Sequence, residues 1–509
     1  MTETLTVFGT NPRTGEALPP VTVETTEAGV ADLVATAAAA APGFAGLDRS
    51  MRAQILRAVA DGIDARRAEL IEIASTETGF TTAKLDGELT RAAFQFRFFG
   101  EVLDEGSYLE VTIDPPGDTP MGPRPDLRRI LSPIGPVAVF GSSNFPFAFS
   151  VLGGDTASAL AAGCPVVLKA HPSHPGTSQS SFDVITDALA HSAAPAGVVA
   201  IVHGTRAGAA LVAQPAVKAV GFTGSLRGGK ALLDIINARE EPIPFYGELS
   251  SLNPVVVTPG AAAERGEDIG AGLVGSFTVG SGQLCTKPGF VLVPDSGDGD
   301  RLVAAVGAGL ADASGHVLLN EGIYTTFTEE AAGLEQRTDV RTSTGPSVVG
   351  TGFSVSPMVV ETTLDELDLD LVHEVFGPIT VIVRYPVDSV ISSATKLFDA
   401  FPPSLTTTVH YAEDDAALQG LTELAVAHAG RVVYNAFPTG VAVSWAQHHG
   451  GPWPSTNSLH TSVGATAIRR FLRPVTYQNA PQRALPPELR DGYADIPRRI
   501  DGTLHPAGT

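Results

Sequence analysis

Apolar residues recur at i, i+3 and i+4 between Thr26 and Phe99, as in Ile55, Val59 and Ile63 or Leu70, Ile71 and Ile73, and this spacing predicts helices. The next stretch, Asp114-Pro115-Pro116-Gly117-Asp118-Thr119-Pro120-Met121-Gly122-Pro123, is one that no helix tolerates and predicts a loop, arm or linker. Beyond it the period changes. Short β-branched runs predict strands at 134–140, 165–169, 198–202 and 217–222, with Ala-rich helices at 153–162 and 177–191 between them. A second alternating region runs from about Leu252 to Asn435, with strands predicted at 254–258, 290–294, 379–385, 405–411 and 431–434. Continuous apolar strands separated by helices imply parallel sheets covered on both faces, the α/β class. Ligands of such sheets sit at the carboxyl ends of the strands.

Length and charge narrow the functions. A chain of 509 residues is too long for one core, so two or three domains are expected. The formal charge of −22, from 33 Lys and Arg against 55 Asp and Glu, argues against nucleic acid and against an anionic membrane surface as partners. No apolar run reaches about 18 residues without a breaker, so no membrane span is expected. The start, Met1-Thr2-Glu3-Thr4-Leu5-Thr6, lacks a basic region followed by an apolar core, which reads as no signal peptide and a cytoplasmic protein. Two cysteines form no disulfide framework, and no Cys/His set has zinc-ligand spacing, so no metal is expected.

The candidate chemistry is local. Cys285 lies in Gly280-Ser281-Gly282-Gln283-Leu284-Cys285-Thr286, a small, polar setting that suits an accessible thiol, whereas Cys164, at a strand entrance, reads as structural. Phe222-Thr223-Gly224-Ser225-Leu226-Arg227-Gly228-Gly229 marks a strand-to-helix turn where backbone amides attract phosphate. The usual G-x-G-x-x-G fingerprint is absent. Lys169 ends a strand and points to the ligand crevice. Glu248, in Tyr246-Gly247-Glu248-Leu249-Ser250-Ser251-Leu252-Asn253-Pro254, is placed for a partly desolvated base. Asn144, in Ser142-Ser143-Asn144-Phe145-Pro146-Phe147, offers an amide donor of the kind that holds an oxyanion. Each also has a plain reading as a cap or turn residue.

Taken in order, these segments resemble the aldehyde dehydrogenase superfamily over about residues 26–481. Asn144-Phe145-Pro146 is similar to that family's Asn-Phe-Pro element, Phe222 to Gly229 to its Phe-Thr-Gly-Ser turn, and Glu248-Leu249 to the start of its Glu-Leu-Gly-Gly element. Gly282-Gln283-Leu284-Cys285 is similar to its nucleophile motif and Glu374-Val375-Phe376-Gly377-Pro378 to its ribose contact. Two departures, Ser250-Ser251 in place of glycines and Pro172 in place of a ribose-binding glutamate, resemble the α-ketoglutarate semialdehyde (2,5-dioxovalerate) dehydrogenase branch. An NADP-dependent fatty aldehyde dehydrogenase shares the same features.

The resemblance implies a Rossmann-type cofactor domain over 1–105 and 132–250, an α/β catalytic domain over 251–440, and a small β oligomerisation arm and tail over 106–131 and 474–509. Residues 441–473 return to the cofactor domain and the substrate entrance. It implies Cys285 as nucleophile, Glu248 as base and Asn144 as oxyanion donor. Lys169, His171, Arg206, Gly224, Ser225, Gly229, Leu249, Glu374 and Phe376 would bind the cofactor. The missing glutamate favours NADP over NAD, with Lys169, Arg206 and His171 as the cations near a 2′-phosphate. The implied reaction is oxidation of an aldehyde, 2,5-dioxopentanoate above all, to its carboxylate in a homodimer or homotetramer. Arg91, Phe145 and Phe437 are candidate substrate contacts; Arg91 equally suits a structural ion pair. Acyl transfer to coenzyme A is disfavoured by the presence of Glu248, and a non-catalytic scaffold by the joint presence of Cys285, Glu248, Asn144 and Lys169.

Overall fold

The computed structural model describes residues 5–347 and 351–508; the first four residues, on which part of the leader reading rests, and Thr509 of the tail lie outside them. The span read as helical holds four helices, Glu27–Ala45, Arg49–Ala65, Arg67–Thr78 and Thr82–Glu105. The first is long and apolar enough by composition to cross a membrane, contrary to the expectation from the sequence. Its Val30, Val34 and Ala37 pack into the core of the first sheet, and Phe44 into the helical layer, which accounts for its composition without a membrane.

Five parallel strands make the first sheet, in the order Phe245–Glu248, Ala219–Thr223, Val137–Phe140, Val166–Lys169, Val199–Val202. The chain starts in the centre, works out to one edge, then returns to build the other side. The reversal falls between Val137–Phe140 and Ala219–Thr223, and the crevice beyond their carboxyl ends is where such sheets hold ligands. The run read as one strand at 134–140 is split. Gly135, at φ 113°, turns the chain, so Leu127–Pro133 joins a different sheet and only Val137–Phe140 enters this one.

A second sheet of seven strands runs Arg341–Thr344, Met358–Thr363, Ile379–Pro386, Phe290–Asp295, Val255–Val257, Ser404–His410, Ala429–Tyr434, parallel except at the first. A third sheet pairs Leu472–Gln478 with Leu127–Pro133, then continues through Thr112–Asp114, Arg498–Ile500 and Thr503–His505. The Pro/Gly-rich stretch beside it carries a short hairpin, Gly117–Thr119 with Gly122–Arg124. A hairpin of Thr6–Asn11 with Glu16–Val23 precedes the helices, where the sequence pattern predicts no strand. Cys164 is fully buried, its thiol pushed up to about 11 by that burial and donating to the Phe471 carbonyl.

Burial also pushes His174, His203, His410 and His428 down to about 4. They are neutral in the fold but bind protons in the unfolded chain below about pH 6.5, so stability falls as the pH drops from there towards 4. The net charge of −22 and a pI near 4.9 make self-repulsion weaken over the same range, which alone would raise stability. The denaturation midpoint in urea is therefore expected to be lower at pH 5.5 than at pH 7; a higher midpoint at pH 5.5 would show that repulsion dominates instead.

Candidate active site

The thiol is placed by an unusual turn. After helix Pro259–Thr278 the chain passes through Gly280, Ser281 and Gly282, all in left-handed backbone at φ 61°, 60° and 68°. For Ser281 that conformation is strained, and such strain persists only where surrounding structure enforces it. At Gly282 a β-carbon would run into the Gly377 carbonyl, so glycine lets the thiol loop lie directly on the 374–378 turn. Asn253 then grips the loop from below. Its Nδ2 donates to the Cys285 carbonyl at 2.8 Å and the Lys287 carbonyl at 3.0 Å, while its Oδ1 accepts from the Ser251 hydroxyl at 2.7 Å and the Thr406 hydroxyl at 3.1 Å. Ser251 also accepts from the Leu405 amide. The serine pair that replaces glycines is thus structural on one side, and on the other Ser250 hydrogen-bonds Glu374.

Glu248 ends the edge strand Phe245–Glu248 and is 3% exposed. Its Oε1 lies 2.9 Å from His449 Nε2, and its Oε2 accepts from the Ser462 hydroxyl at 3.0 Å. The tautomer that satisfies this contact carries its proton on Nε2. Cys285 Sγ lies 3.6 Å from the same nitrogen. Burial raises the carboxyl's pKa, but His449 and the hydrogen bonds from Cys285 and Ser462 outweigh it and hold Glu248 below the usual range. The thiol moves the other way: burial, then the Glu248 charge, push Cys285 well up. The resting pair is a carboxylate beside a neutral thiol, and both shifts keep the proton on sulfur.

His449 is the functional residue that sequence reasoning missed. It stands 201 positions from Glu248, in His448-His449-Gly450-Gly451, and its amide donates to the Thr461 hydroxyl. Ligand atoms of Glu248, Cys285 and His449 fall within 4.8 Å of one another, a Cys/His/Glu set that spacing along the chain did not reveal. Replacing His449 by Asn removes support for the carboxylate, so the acid limb of the kcat–pH profile is expected to move to higher pH. An unmoved limb would mean that His449 does not tune Glu248.

Asn144 is buried just past strand Val137–Phe140, where Nδ2 donates one of its two N–H groups to the Gln283 carbonyl at 2.8 Å. Its loop is fixed by the buried Glu88, whose Oε1 accepts from the amides of Phe147 and Ala148 at 2.8 and 3.0 Å. Lys84 joins Glu88 to the Asn144 carbonyl. The rings of Phe145 and Phe149 pack tilted with centroids 5.2 Å apart, and Phe149 meets the His449 ring at 6.1 Å. Arg91 lies 5.4 Å above Phe149 and donates to the Val441 carbonyl, while its Nε and Nη2 are buried with no partner among the described residues. Phe437, a candidate substrate contact, packs on Gly272 of helix Pro259–Thr278 and on His410.

On the cofactor side, Ser225 caps helix Leu226–Asn237 by accepting from the Gly228 amide, and the absent β-carbon of Gly229 leaves room for Leu249. Gly224 donates its amide to the Glu248 carbonyl, tying this turn to the base. Glu374 is raised to about 7 by burial against the pull of Lys287, which is itself lowered to about 8. Lys287 Nζ donates to the Val375 and Ile379 carbonyls and so shapes the Glu374 turn, in which Phe376 is half-buried. Lys169 ends its strand nearly buried, lowered to about 8 by desolvation.

Two expectations near Lys169 change. His171 supplies no positive charge: burial, with His174 stacked 5.3 Å away and Lys169 nearby, keeps it neutral. Arg206 is not a free cation, since Glu24 engages its guanidinium at 2.7 and 2.9 Å, so an acidic group does reach this crevice despite Pro172.

Residues 2–476 match the model of the aldehyde dehydrogenase family. The chain belongs to the aldehyde dehydrogenase family. It is 45% identical over 461 residues to alpha-ketoglutaric semialdehyde dehydrogenase 2 of Azospirillum brasilense, covering 89% of this chain and 87% of that one. It is 39% identical over 464 residues to the alpha-ketoglutaric semialdehyde dehydrogenase of Acinetobacter baylyi, covering 90% and 88%. The crystal structure of aldehyde dehydrogenase 21 from Physcomitrella patens superposes with a TM-score of 0.79 at 20% identity, covering 94% of this chain and 95% of that one, a likeness of fold. The protein is an aldehyde dehydrogenase, a family that uses NAD(P) and takes small-molecule aldehydes.

Proposed function

We propose that this aldehyde dehydrogenase oxidises 2,5-dioxopentanoate (α-ketoglutarate semialdehyde) to 2-oxoglutarate, with NADP preferred over NAD. The observation that carries the substrate is Arg91. Its Nε and Nη2 are buried and lack partners among the described residues, and its charge is within reach of Cys285 and Glu248. A guanidinium left unsatisfied beside a nucleophile calls for an anionic substrate, because an unpaired buried donor is costly and a carboxylate satisfies the fork. Arg431, whose field also acts on Cys285, adds positive charge on the same side. The relatives named for this semialdehyde support the same reading.

In this mechanism the Cys285 thiol gives up its proton to solvent and the thiolate sulfur attacks the aldehyde carbon. The oxyanion accepts from the second N–H of Asn144. As the C=O bond re-forms, the carbon loses hydride and becomes a thioester; bound NAD(P) supplies the hydride acceptor. Glu248, as the carboxylate, takes a proton from water whose oxygen attacks the thioester. The C–S bond breaks, and the carboxylic acid leaves. The cofactor would be held by the turn at Gly224 to Gly229, by Glu374, and by Lys169 and Arg206 at its adenosine end. The positive charge of Lys169 and Arg206 at that end supports NADP. The arm sheet would pair subunits into a homodimer or homotetramer by its edge strands, and two free thiols suit the cytoplasm.

Arg91→Gln tests the substrate. The kcat/KM for 2,5-dioxopentanoate is expected to fall by about 2–4 kcal/mol, on the order of 30- to 1,000-fold, the cost of removing one member of a desolvated charge pair. Pentanal, of the same chain length and uncharged, should change little. Equal losses for both aldehydes would leave Arg91 as a structural residue and the semialdehyde reading without its support.

A further inference from the structure

We infer that Glu24 selects between NADP and NAD, by occupying from within the chain the position that a 2′-phosphate would take. This rests on the proposed function, in which the cleft between strands Val166–Lys169 and Val199–Val202 receives the adenosine end of the cofactor. That cleft measures about 580 Å³ and is lined by Glu24, His171, Pro172, His203, Gly204 and Arg206.

Glu24 follows directly on the second strand of the N-terminal hairpin. Its amide donates to the Leu5 carbonyl at 2.8 Å. Next to it, the Thr25 amide donates to the His203 carbonyl at 2.9 Å, and the His203 amide donates to the Thr25 hydroxyl at 3.0 Å. The hairpin is thereby stitched to the loop that follows strand Val199–Val202. Thus anchored, the carboxylate meets the first turn of helix Thr205–Ala213. Oε1 accepts from the Arg206 amide at 3.1 Å, and Oε2 accepts from Arg206 Nε and Nη2 at 2.9 and 2.7 Å. Gly204 has no β-carbon at the point where the Glu24 side chain lies, so the close approach is built into both residues.

A guanidinium fork combined with a helix N-terminal amide is the set of donors that a phosphate ester takes. Here an internal carboxylate takes it. Lys169 adds its field from the end of the neighbouring strand. The Glu24 side chain is 10% exposed and Arg206 61%, so the carboxylate is seated and the guanidinium keeps its open side to solvent. His203, on the cleft wall, bonds Gln179 Oε1 through Nε2, so its Nδ1, buried and without a partner among the described residues, is a spare acceptor for a ribose hydroxyl.

Two anions on one guanidinium repel, so a 2′-phosphate must displace Glu24 or share Arg206 with it at a cost. A 2′-hydroxyl carries no charge and can donate to the carboxylate. Glu24 therefore weakens NADP binding and keeps NAD usable, a role that the missing acid at Pro172 leaves vacant.

Calorimetric titration of the full-length apoenzyme with 2′,5′-ADP and with 5′-AMP tests this without turnover. Glu24→Gln keeps a carbonyl to cap the helix but loses the charge, and Glu24→Ala serves if that variant misfolds. Either is expected to bind 2′,5′-ADP about tenfold tighter or more, and 5′-AMP no tighter than wild type. The NADP/NAD ratio of kcat/KM should rise in parallel. Arg206→Gln should weaken 2′,5′-ADP and leave 5′-AMP unchanged. If Arg206→Gln weakens 2′,5′-ADP but neither Glu24 variant tightens it, Glu24 is only a helix cap and the inference is overturned. If Arg206→Gln leaves 2′,5′-ADP binding unchanged, the cleft is not the 2′-phosphate site and the NADP reading falls first.

Discussion

Cys285→Ala abolishes aldehyde-dependent reduction of NAD(P), by about four orders of magnitude or more, because the substitution removes the sulfur that bonds to the aldehyde carbon. The fold should survive. Asn253 grips the loop through the backbone carbonyls of Cys285 and Lys287, and the left-handed turn at Gly280 to Gly282 does not involve the thiol. Cofactor affinity should therefore stay within a few-fold of wild type, since the cofactor contacts lie on other elements. The second cysteine offers no rescue, because Cys164 is fully buried with its thiol raised to about 11. Steady-state rates with 2,5-dioxopentanoate, together with cofactor binding by fluorescence titration, check both halves. Turnover near the wild-type rate in Cys285→Ala would remove covalent catalysis from the mechanism.

Glu248→Gln is expected to separate the two half-reactions. Without a base to activate water, kcat should fall by about 10²- to 10⁴-fold. A rapid first turnover should remain visible as a burst of NAD(P)H close to the concentration of active sites. The same substitution should have an opposite effect on the resting thiol. The Glu248 carboxylate is a like charge that, after burial, holds the Cys285 thiol up. Removing that charge lowers the thiol's pKa, so alkylation of the cofactor-free enzyme by iodoacetamide at pH 8 should be faster in Glu248→Gln than in wild type. Slower alkylation would mean that Glu248 activates the thiol more, as a base, than it suppresses the thiolate as a charge.

Much of the fold was legible because the signals were local. Strand Val166–Lys169, helix Gly154–Ala162 and five of the seven strands of the second sheet fall within a residue or two of their expected places, whereas Arg341–Thr344 and Met358–Thr363 were not expected. The matching elements are short apolar runs bounded by breakers, and no long-range contact is needed to read them. The split at Gly135 was not legible, since 134–140 is one β-branched run and only a positive φ divides it between two sheets. Glu248 at a strand end and Asn144 just past one could be placed at the crevice from the strand pattern, whereas Cys285, on a turn after helix Pro259–Thr278, was placed there by its motif. His449 and Glu24 could not be found that way. His449 reaches Glu248 across 201 positions from a loop without regular structure, and Glu24 reaches Arg206 across 182 from a hairpin whose alternation is obscured by Pro19 and Pro20. Both act through a partner chosen by tertiary packing, which no spacing encodes.

The ion pair at Glu24 also explains why reasoning from Pro172 alone was incomplete. The ribose-side acid is absent from the strand end but present in the same cleft, delivered by a different element.

Peptide mass mapping of Glu248→Gln, quenched in acid after mixing with 2,5-dioxopentanoate and NADP, addresses the covalent mechanism most directly. The expected result is an acyl adduct, of the mass of the oxidised product less water, on the peptide carrying Cys285 and in amount equal to the NADPH formed. An equivalent of NADPH with no adduct on that peptide, or with the adduct on another residue, would contradict it.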